Sequence, residues 1–232
     1  MDPILSLVTG SLNRPEGLRR LIDSIRDRTP VPWELVISDA SDTPLQPTDE
    51  RIRVIVEKPR RGCVAGYNAA FKEARGEWVI WLNDDAEVQP GYAEAAISFM
   101  EANPEIGLGA LYYCESVPPF KVNEYCGMIY ANFGIISREL GNSVGWFDPD
   151  LTMYGCDNSL TFRVLLAGLG IGTIPTARVW HHVVQDEWKV ANQKLRDPDS
   201  EILRWNYGVH IPRMMRVYER TQHLAGPLVI GE

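Results

Sequence analysis

Short apolar runs alternate with amphipathic stretches through the first hundred residues. Ile4–Thr9 reads as a buried strand, and Trp33–Ser38, Ile52–Val56 and Trp78–Leu82 repeat the same signature of a short apolar run bounded by polar residues. After the first run, Leu18, Leu21, Ile22 and Ile25 recur at i, i+3, i+4 and i+7, and Pro15 stands where a first helical turn accepts proline. A polar stretch containing Pro44 and Pro47 is a loop. Ala65–Ala74 predicts a small-residue helix that Gly76 ends. Pro90-Gly91 opens another helix, with Ala93, Ala96, Ile97 and Met100 on one face. Strands alternating with helices of this length mean βαβ units and a mostly parallel sheet, an α/β fold.

Beyond Ile106 the pattern changes. Ile106–Tyr113 and Met128–Ile136 read as strands around a loop with Val117-Pro118-Pro119. Leu160–Ala167 is helical, and Ile171–Ile174 and Ala177–Trp180 are two short strands. From Asp186 to Thr221 the chain is charged and helical, interrupted at Asp197-Pro198 and Ile211-Pro212. There is no internal repeat and no long linker. One domain is therefore expected over residues 1–185, in halves 1–105 and 106–185, with 186–232 as a helical extension packed on it.

Composition adds exclusions. With 232 residues and 45% hydrophobic content, the chain can bury a core without staples. No apolar run approaches the ~20 residues of a membrane span. Asp2 and the absence of a basic opening stretch argue against a secretory signal, so the expected location is cytoplasmic. The four cysteines, 63, 114, 126 and 156, form no C-x-x-C pair and read as reduced thiols. A net charge of −8 argues against coating a polyanion through bulk charge, though not against a phosphate met through a local patch or a metal.

In a parallel α/β sheet, ligands bind outside the carboxyl ends of the strands. Thr9-Gly10-Ser11-Leu12-Asn13-Arg14 follows the first strand, Asp39-Ala40-Ser41-Asp42 the second, and Asn83-Asp84-Asp85-Ala86-Glu87 the fourth. Two of these clusters are acidic, which suits a divalent cation more than a bare phosphate. Adjacent carboxylates after a fully apolar strand are costly to bury unpaired. They are natural ligands of Mg²⁺ or Mn²⁺, whose shells substrate phosphates and water usually complete. The plain alternative is a solvated turn. Thr9–Arg14 lacks the G-x-G-x-x-G of a nicotinamide-binding fold.

The series Arg61-Gly62-Cys63-Val64-Ala65-Gly66-Tyr67-Asn68, Ala74-Arg75-Gly76-Glu77-Trp78-Val79, Leu82-Asn83-Asp84-Asp85 and Val88-Gln89-Pro90-Gly91 resembles the family 2 glycosyltransferases of the GT-A fold. The resemblance covers about residues 3 to 182 and rests on the order and spacing of these segments. It implies a nucleotide-sugar-binding first half and an acceptor second half. Thr9, Arg14, Arg61, Asn68 and Asp84 would line the nucleotide-sugar pocket, and Asp39 would accept from the imide N–H of uracil or thymine. Asp85 would bind Mn²⁺ or Mg²⁺. Asn83 departs from the first acid of many members.

In the second half, Gly145-Trp146-Phe147-Asp148, then Tyr154-Gly155-Cys156-Asp157-Asn158-Ser159-Leu160, then Ala177-Arg178-Val179-Trp180-His181 align with the family's acceptor side. The resemblance makes Asp157 the general base and His181 a second metal ligand, with Trp146 and Asp148 facing an acceptor sugar. Cys156 and Ser159 stand where acids are usual. A helix-start aspartate could equally be an N-cap, a histidine pair structural and Trp146 a core aromatic. His210 and His223 read as surface or packing residues. The tail aromatics could cover the acceptor cleft, pack on the sheet or form a dimer face. Arg213, Arg216 and Arg220 form a stripe that is either a solvated face or a contact to an anionic acceptor or membrane. The resemblance implies an inverting, metal-dependent transferase moving a sugar from a nucleoside diphosphate sugar to a hydroxyl of a saccharide or glycolipid precursor. A hydroxymethylated DNA base as acceptor (a virus-encoded type working in the host cytoplasm), and a catalytically silent binding protein, are the competing readings.

Overall fold

The computed structural model describes residues 2–115 and 117–222; His223 and the rest of the expected extension lie outside the described residues. Ten strands and eight α-helices alternate: β1 (Leu5–Ser11), α1 (Pro15–Arg28), β2 (Trp33–Asp39), β3 (Ile52–Val56), α2 (Cys63–Glu73), β4 (Trp78–Trp81), β5 (Ala86–Val88), α3 (Tyr92–Ala102), β6 (Ile106–Cys114), β7 (Asn123–Tyr125), β8 (Met128–Tyr130), β9 (Gly134–Ser137), α4 (Arg138–Val144), α5 (Cys156–Leu166), β10 (Gly170–His181), α6 (Glu187–Asn192), α7 (Arg196–Tyr207) and α8 (Ile211–Thr221).

Eight strands form one sheet in the order β3-β2-β1-β4-β9-β6-β10-β5. The β3-β2-β1-β4 run is parallel throughout, with α1 crossing over between β1 and β2, a helix-free loop between β2 and β3, and α2 between β3 and β4. β6 and β10 are also parallel, while β9 runs antiparallel to both β4 and β6, and β5 antiparallel to β10. The sheet is therefore mixed, with parallel pairings in the majority.

Side-chain alternation along the strands divides the core in two. Leu5, Leu7, Leu35 and Ile37 face α1 and α3, where Leu18, Leu21, Ile25, Ala96 and Met100 are buried. Val8, Val36, Val79 and Trp81 face the other layer, with Phe71 of α2, Phe162 of α5, Leu203 and Tyr207 of α7, and Met214 and Tyr218 of α8. The C-terminal helices thus complete one side of the sandwich.

Three elements differ from the sequence reading. Met128–Ile136 is not one strand: β8 pairs with β7 in a separate hairpin, and β9 enters the main sheet. The two expected strands around Pro175 are one, β10, whose register against β6 breaks between Ile174 and Arg178 because proline offers no N–H to the ladder. Ala86–Val88, read as part of a polar turn, is a strand paired with β10.

Trp146 and Asp148, read as facing an acceptor, are interior. Trp146 stacks on Phe71 with ring centroids 4.3 Å apart, and its indole N–H donates to Asn142 at 2.9 Å. A Cβ on Gly141 would stand 2.2 Å from the Trp146 ring, so the helix α4 backbone lies flat against it. Asp148 accepts from the Tyr207 hydroxyl at 2.7 Å and lies 3.3 Å from the Arg163 guanidinium, tying α7 to α5. A buried carboxylate needs such partners. Trp146→Ala is expected to cost about 3–5 kcal/mol in urea unfolding, with nucleotide affinity at low temperature unchanged.

Candidate active site

The carboxyl ends of β1, β2 and β4 open onto a cavity of about 380 Å³, lined by Gly10, Ser11 and Arg14 after β1, Ser38 and Ala40 around the end of β2, and Asn83, Asp84 and Asp85 after β4. Strand register explains the convergence. Val8 pairs with Trp81, so the residues following each strand emerge side by side. His181 pairs with Ala86 across the β10–β5 ladder, which carries the histidine to the residue next to Asp85. Helix α1 closes the base of the turn. A Cβ on Gly17 would stand 2.8 Å from the Asp84 carbonyl oxygen, so only glycine lets the helix approach that closely.

The acidic turn is buried and internally compensated. Asp84 accepts from the Ser11 hydroxyl at 2.9 Å and from Arg14 Nη1 at 3.3 Å. Burial pushes its carboxyl up to about 6, with Arg14 opposing the shift and Asp85 adding to it. Burial also raises Asp85, but the proximity of His181 and Arg14 and the Val184 N–H outweigh it and hold it below the usual carboxylate range. Arg14 reaches all three acids around it: Asp84, Asp85 Oδ2 at 3.8 Å, and Asp186 at 2.7 Å through Nε. Burial alone would lower the arginine; its bond to Asp186 and the charges of Asp84, Asp186 and Asp85 raise it instead.

Two polar atoms here lack a full partner. Asp85 Oδ1 is buried and stands 3.2 Å from His181 Nε2, close but poorly aligned for a hydrogen bond. His181 Nδ1 is buried without a partner. Cis ligands of an octahedral Mg²⁺ at ~2.1 Å lie about 3 Å apart, which matches the Asp85–His181 separation. Among the described residues no group of three or more His, Cys, Asp or Glu is arranged to hold a metal. The residues therefore fit a cation that takes two protein ligands and completes its shell with substrate oxygens and water.

Other expected residues lie elsewhere. Thr9 is fully buried in β1 and is not among the cavity's lining residues; Ser11, two residues on, reaches Asp84 instead. Asp39 spends one carboxylate oxygen on the Ser41 N–H at 2.9 Å and the other on the Leu45 N–H at 2.8 Å, bracing the loop after β2. Arg61 is outside the lining and pairs with Glu57 at 3.7 Å, while Arg60 and Glu57 line the cavity. Asn68 exchanges hydrogen bonds with the Phe147 backbone, donating at 2.9 Å and accepting at 3.2 Å. Glu87 is turned to Arg28 and His182, at 2.7 and 2.9 Å, so His182 ties β10 to α1 through it.

Asp157 lies in the first turn of α5, whose N-cap is Gly155 with φ +74°, so it is not the N-cap, and it is not among the cavity's lining residues. Its side chain accepts from the Asn158 N–H at 2.9 Å. Burial pushes it up to about 6. Ser159, at a usual acid position, is fully buried and bonds the Cys156 carbonyl oxygen at 2.6 Å while accepting from the Asp148 N–H at 3.1 Å. An acid there would have no room to ionise.

Sequence reasoning missed three contributors. Tyr67 lines the cavity and donates to the Leu82 carbonyl oxygen at 2.7 Å, fixing the exit of β4. Asp199, buried in α7, accepts from the N–H groups of Thr152, Met153 and Tyr154 at 3.0, 2.9 and 2.7 Å. It thereby shapes the loop that carries cavity-lining Met153 and Tyr154 and leads into α5. Lys189 of α6 lines the cavity beside Trp188, one of the tail aromatics already singled out in the sequence. Tyr67 and Asp199 carry no local signal, because each acts on a partner far along the chain.

Residues 6–154 match the model of Glycosyl transferase family 2, and the chain belongs to that family. UDP-Glc:alpha-D-GlcNAc-diphosphoundecaprenol beta-1,3-glucosyltransferase WfgD of Escherichia coli is 29% identical over 119 residues, 45% of this chain and 47% of that protein. GalNAc-T7, solved with UDP, GalNAc and Mn²⁺, matches at TM-score 0.66 and 16% identity over 80% of this chain and 44% of the other. The mannosyltransferase PcManGT from Pyrobaculum calidifontis, solved with GDP-Man and Mn²⁺, matches at 0.64 and 17% over 83% and 60%. The fold is GT-A. The chain spans less than half the length of the curated relatives it matches.

The elevated Asp157 has a signed consequence for stability. A carboxyl raised from 3.8 to about 6 in the fold contributes stability below pH 4 that is lost as pH rises through about 6. Asp157→Asn removes this loss. At pH 8 the variant is expected to be more stable than the parent by up to about 3 kcal/mol, and at pH 3.5 by little, as read from urea midpoints.

Proposed function

We propose that this protein is a metal-dependent, inverting glycosyltransferase that moves a sugar from a nucleoside diphosphate sugar to an acceptor hydroxyl, of a saccharide or glycolipid precursor. The observation that carries the reading is the pairing of Asp85 Oδ1 with His181 Nε2, a buried oxygen without a full partner 3.2 Å from an imidazole nitrogen, at the mouth of a cavity that also presents Arg14.

Asp85 and His181 would hold Mn²⁺ or Mg²⁺. Bound there, the cation supplies charge neutralisation for the departing nucleoside diphosphate. Arg14 offers further N–H donors to phosphate oxygens from the same wall, and Asp84 keeps the guanidinium in place. Cavity volume suits a nucleotide. Arg60, stacked 5.3 Å from the Trp188 ring, stands with Ser38 and Ala40 on the side where the base would lie.

Asp157 is the general base of this reading. Its carboxylate accepts the acceptor hydroxyl proton as the oxygen attacks the anomeric carbon, and the bond from that carbon to the diphosphate oxygen breaks on the opposite face. A base raised to about 6 is half-ionised near that pH and is a stronger proton acceptor than an ordinary aspartate. The loss of neighbouring acids at Cys156 and Ser159 removes like charge, and leaves Asp157 as the ionisable carboxylate of that turn.

Thermal shift with UDP, dTDP and GDP sugars, each with and without Mn²⁺, is expected to show stabilisation that needs both nucleotide and cation. Asp85→Asn and His181→Ala should each lose it, and a shift that survives chelation would overturn the metal assignment. Asp157→Asn should keep the shift and lower kcat at least ~10²-fold. In the parent, kcat/KM should rise with pH and level off above about 6, because the base must be unprotonated; a profile flat from pH 5 to 8 would rule out Asp157 in that role.

A further inference from the structure

The run from α7 to α8 has an outer face that the donor site does not use. Trp205, Val209, Arg213, Arg216 and Arg220 recur at spacings of four, four, three and four, and all five are exposed. Trp205 is 86% exposed and Val209 81%, an aromatic and an aliphatic side chain four residues apart. The opposite face of the same run is fully committed: Leu203, Tyr207, Met214 and Tyr218 are buried in the core. The exposed pair is therefore not a frayed end but the outer surface of a well-anchored element.

Charge separates this face from the rest of the surface. The chain carries a net −8, yet this face carries Arg213, Arg216 and Arg220, against Glu219 within α8 and Glu201 one turn before Trp205. Arg213 and Arg220 each give one Nη2 bond to the end of α5, to the carbonyl oxygens of Leu166 and Gly168 at 2.9 and 3.2 Å. A guanidinium has five N–H donors, so among the described residues most of theirs have no acceptor. Arg216 has no ion pair or hydrogen bond among the described residues.

We infer that this face docks the protein on an anionic membrane surface. Tryptophan prefers the headgroup boundary, where its ring is apolar on one side and its N–H wet on the other. Arginines beside it meet lipid phosphates, each adding about fivefold to partitioning onto an anionic surface. No helix among the described residues is long and apolar enough to cross a membrane, so the contact is peripheral. The inner face of α7 holds Asp199 against Thr152, Met153 and Tyr154, so docking would bring the loop leading to Asp157 within about one helix diameter, ~10 Å, of the lipid. The inference stands on surface chemistry and does not need the transferase assignment.

Co-sedimentation of the full chain with phosphatidylcholine vesicles, with and without 30 mol% phosphatidylglycerol, tests it. Binding is expected only with the anionic lipid and should weaken at least ~10-fold between 50 and 300 mM salt. Trp205→Ser with Val209→Ser, and separately Arg216→Glu, should each lower binding ~5- to 10-fold while leaving the melting temperature and the nucleotide-induced shift unchanged. No binding to anionic vesicles, or binding indifferent to both variants, would overturn the inference. So would concentration-dependent self-association abolished by the Trp205 variant, which would make the face a contact between two copies of the chain.

Discussion

The acidic turn after β4 is the constraint around which the rest of the molecule is arranged. A fully apolar strand delivers Asp84 and Asp85 into a buried position, and neither could stay there uncompensated. The compensation comes from four separate elements: Ser11 after β1, Arg14 before α1, His181 at the end of β10 and Asp186 before α6, which holds Arg14. Each depends on the register of the sheet. The arginine balances three carboxylates at once, and one carboxylate oxygen is still left without a full partner. A buried carboxylate oxygen left in that state is the feature on which the proposed cation site rests.

The C-terminal helices have two faces with different work. Inward, α7 and α8 supply core side chains and, through Asp199, three hydrogen bonds to the loop before α5. Tyr207 ties the same helix to Asp148. The geometry around Asp157 is thus set by residues 40 or more positions downstream. Outward, the same helical run shows an apolar pair and a basic stripe. A helix that braces the loop before α5 with one face and, in the inferred docking, meets a charged surface with the other would link where the protein sits to how that loop is held.

The departures at Cys156 and Ser159 gain a physical account. Ser159 is wholly buried and uses its hydroxyl both to bond the turn behind it and to receive the Asp148 N–H. Burial pushes Cys156 well above the ordinary thiol range, so it packs as a small apolar residue. A carboxylate at the fully buried Ser159 position would need a new partner.

The sequence by itself determined the class of the fold, the order of its first four strands along the chain with the helices between them, and the acidic turn after the fourth. These follow from local pattern: apolar runs of strand length, helical periodicity and polar residues at strand ends. The tertiary structure decided the rest. It split Met128–Ile136 between two sheets, made one strand of the residues around Pro175, and turned Ala86–Val88 into the edge that brings His181 to Asp85. It also moved Trp146 and Asp148 into the interior and found Tyr67 and Asp199, whose partners lie 15 and about 45 residues away. Pairing partners and buried hydrogen bonds between distant segments leave no periodicity in the chain, since they are set by which surfaces meet only after the sheet has formed.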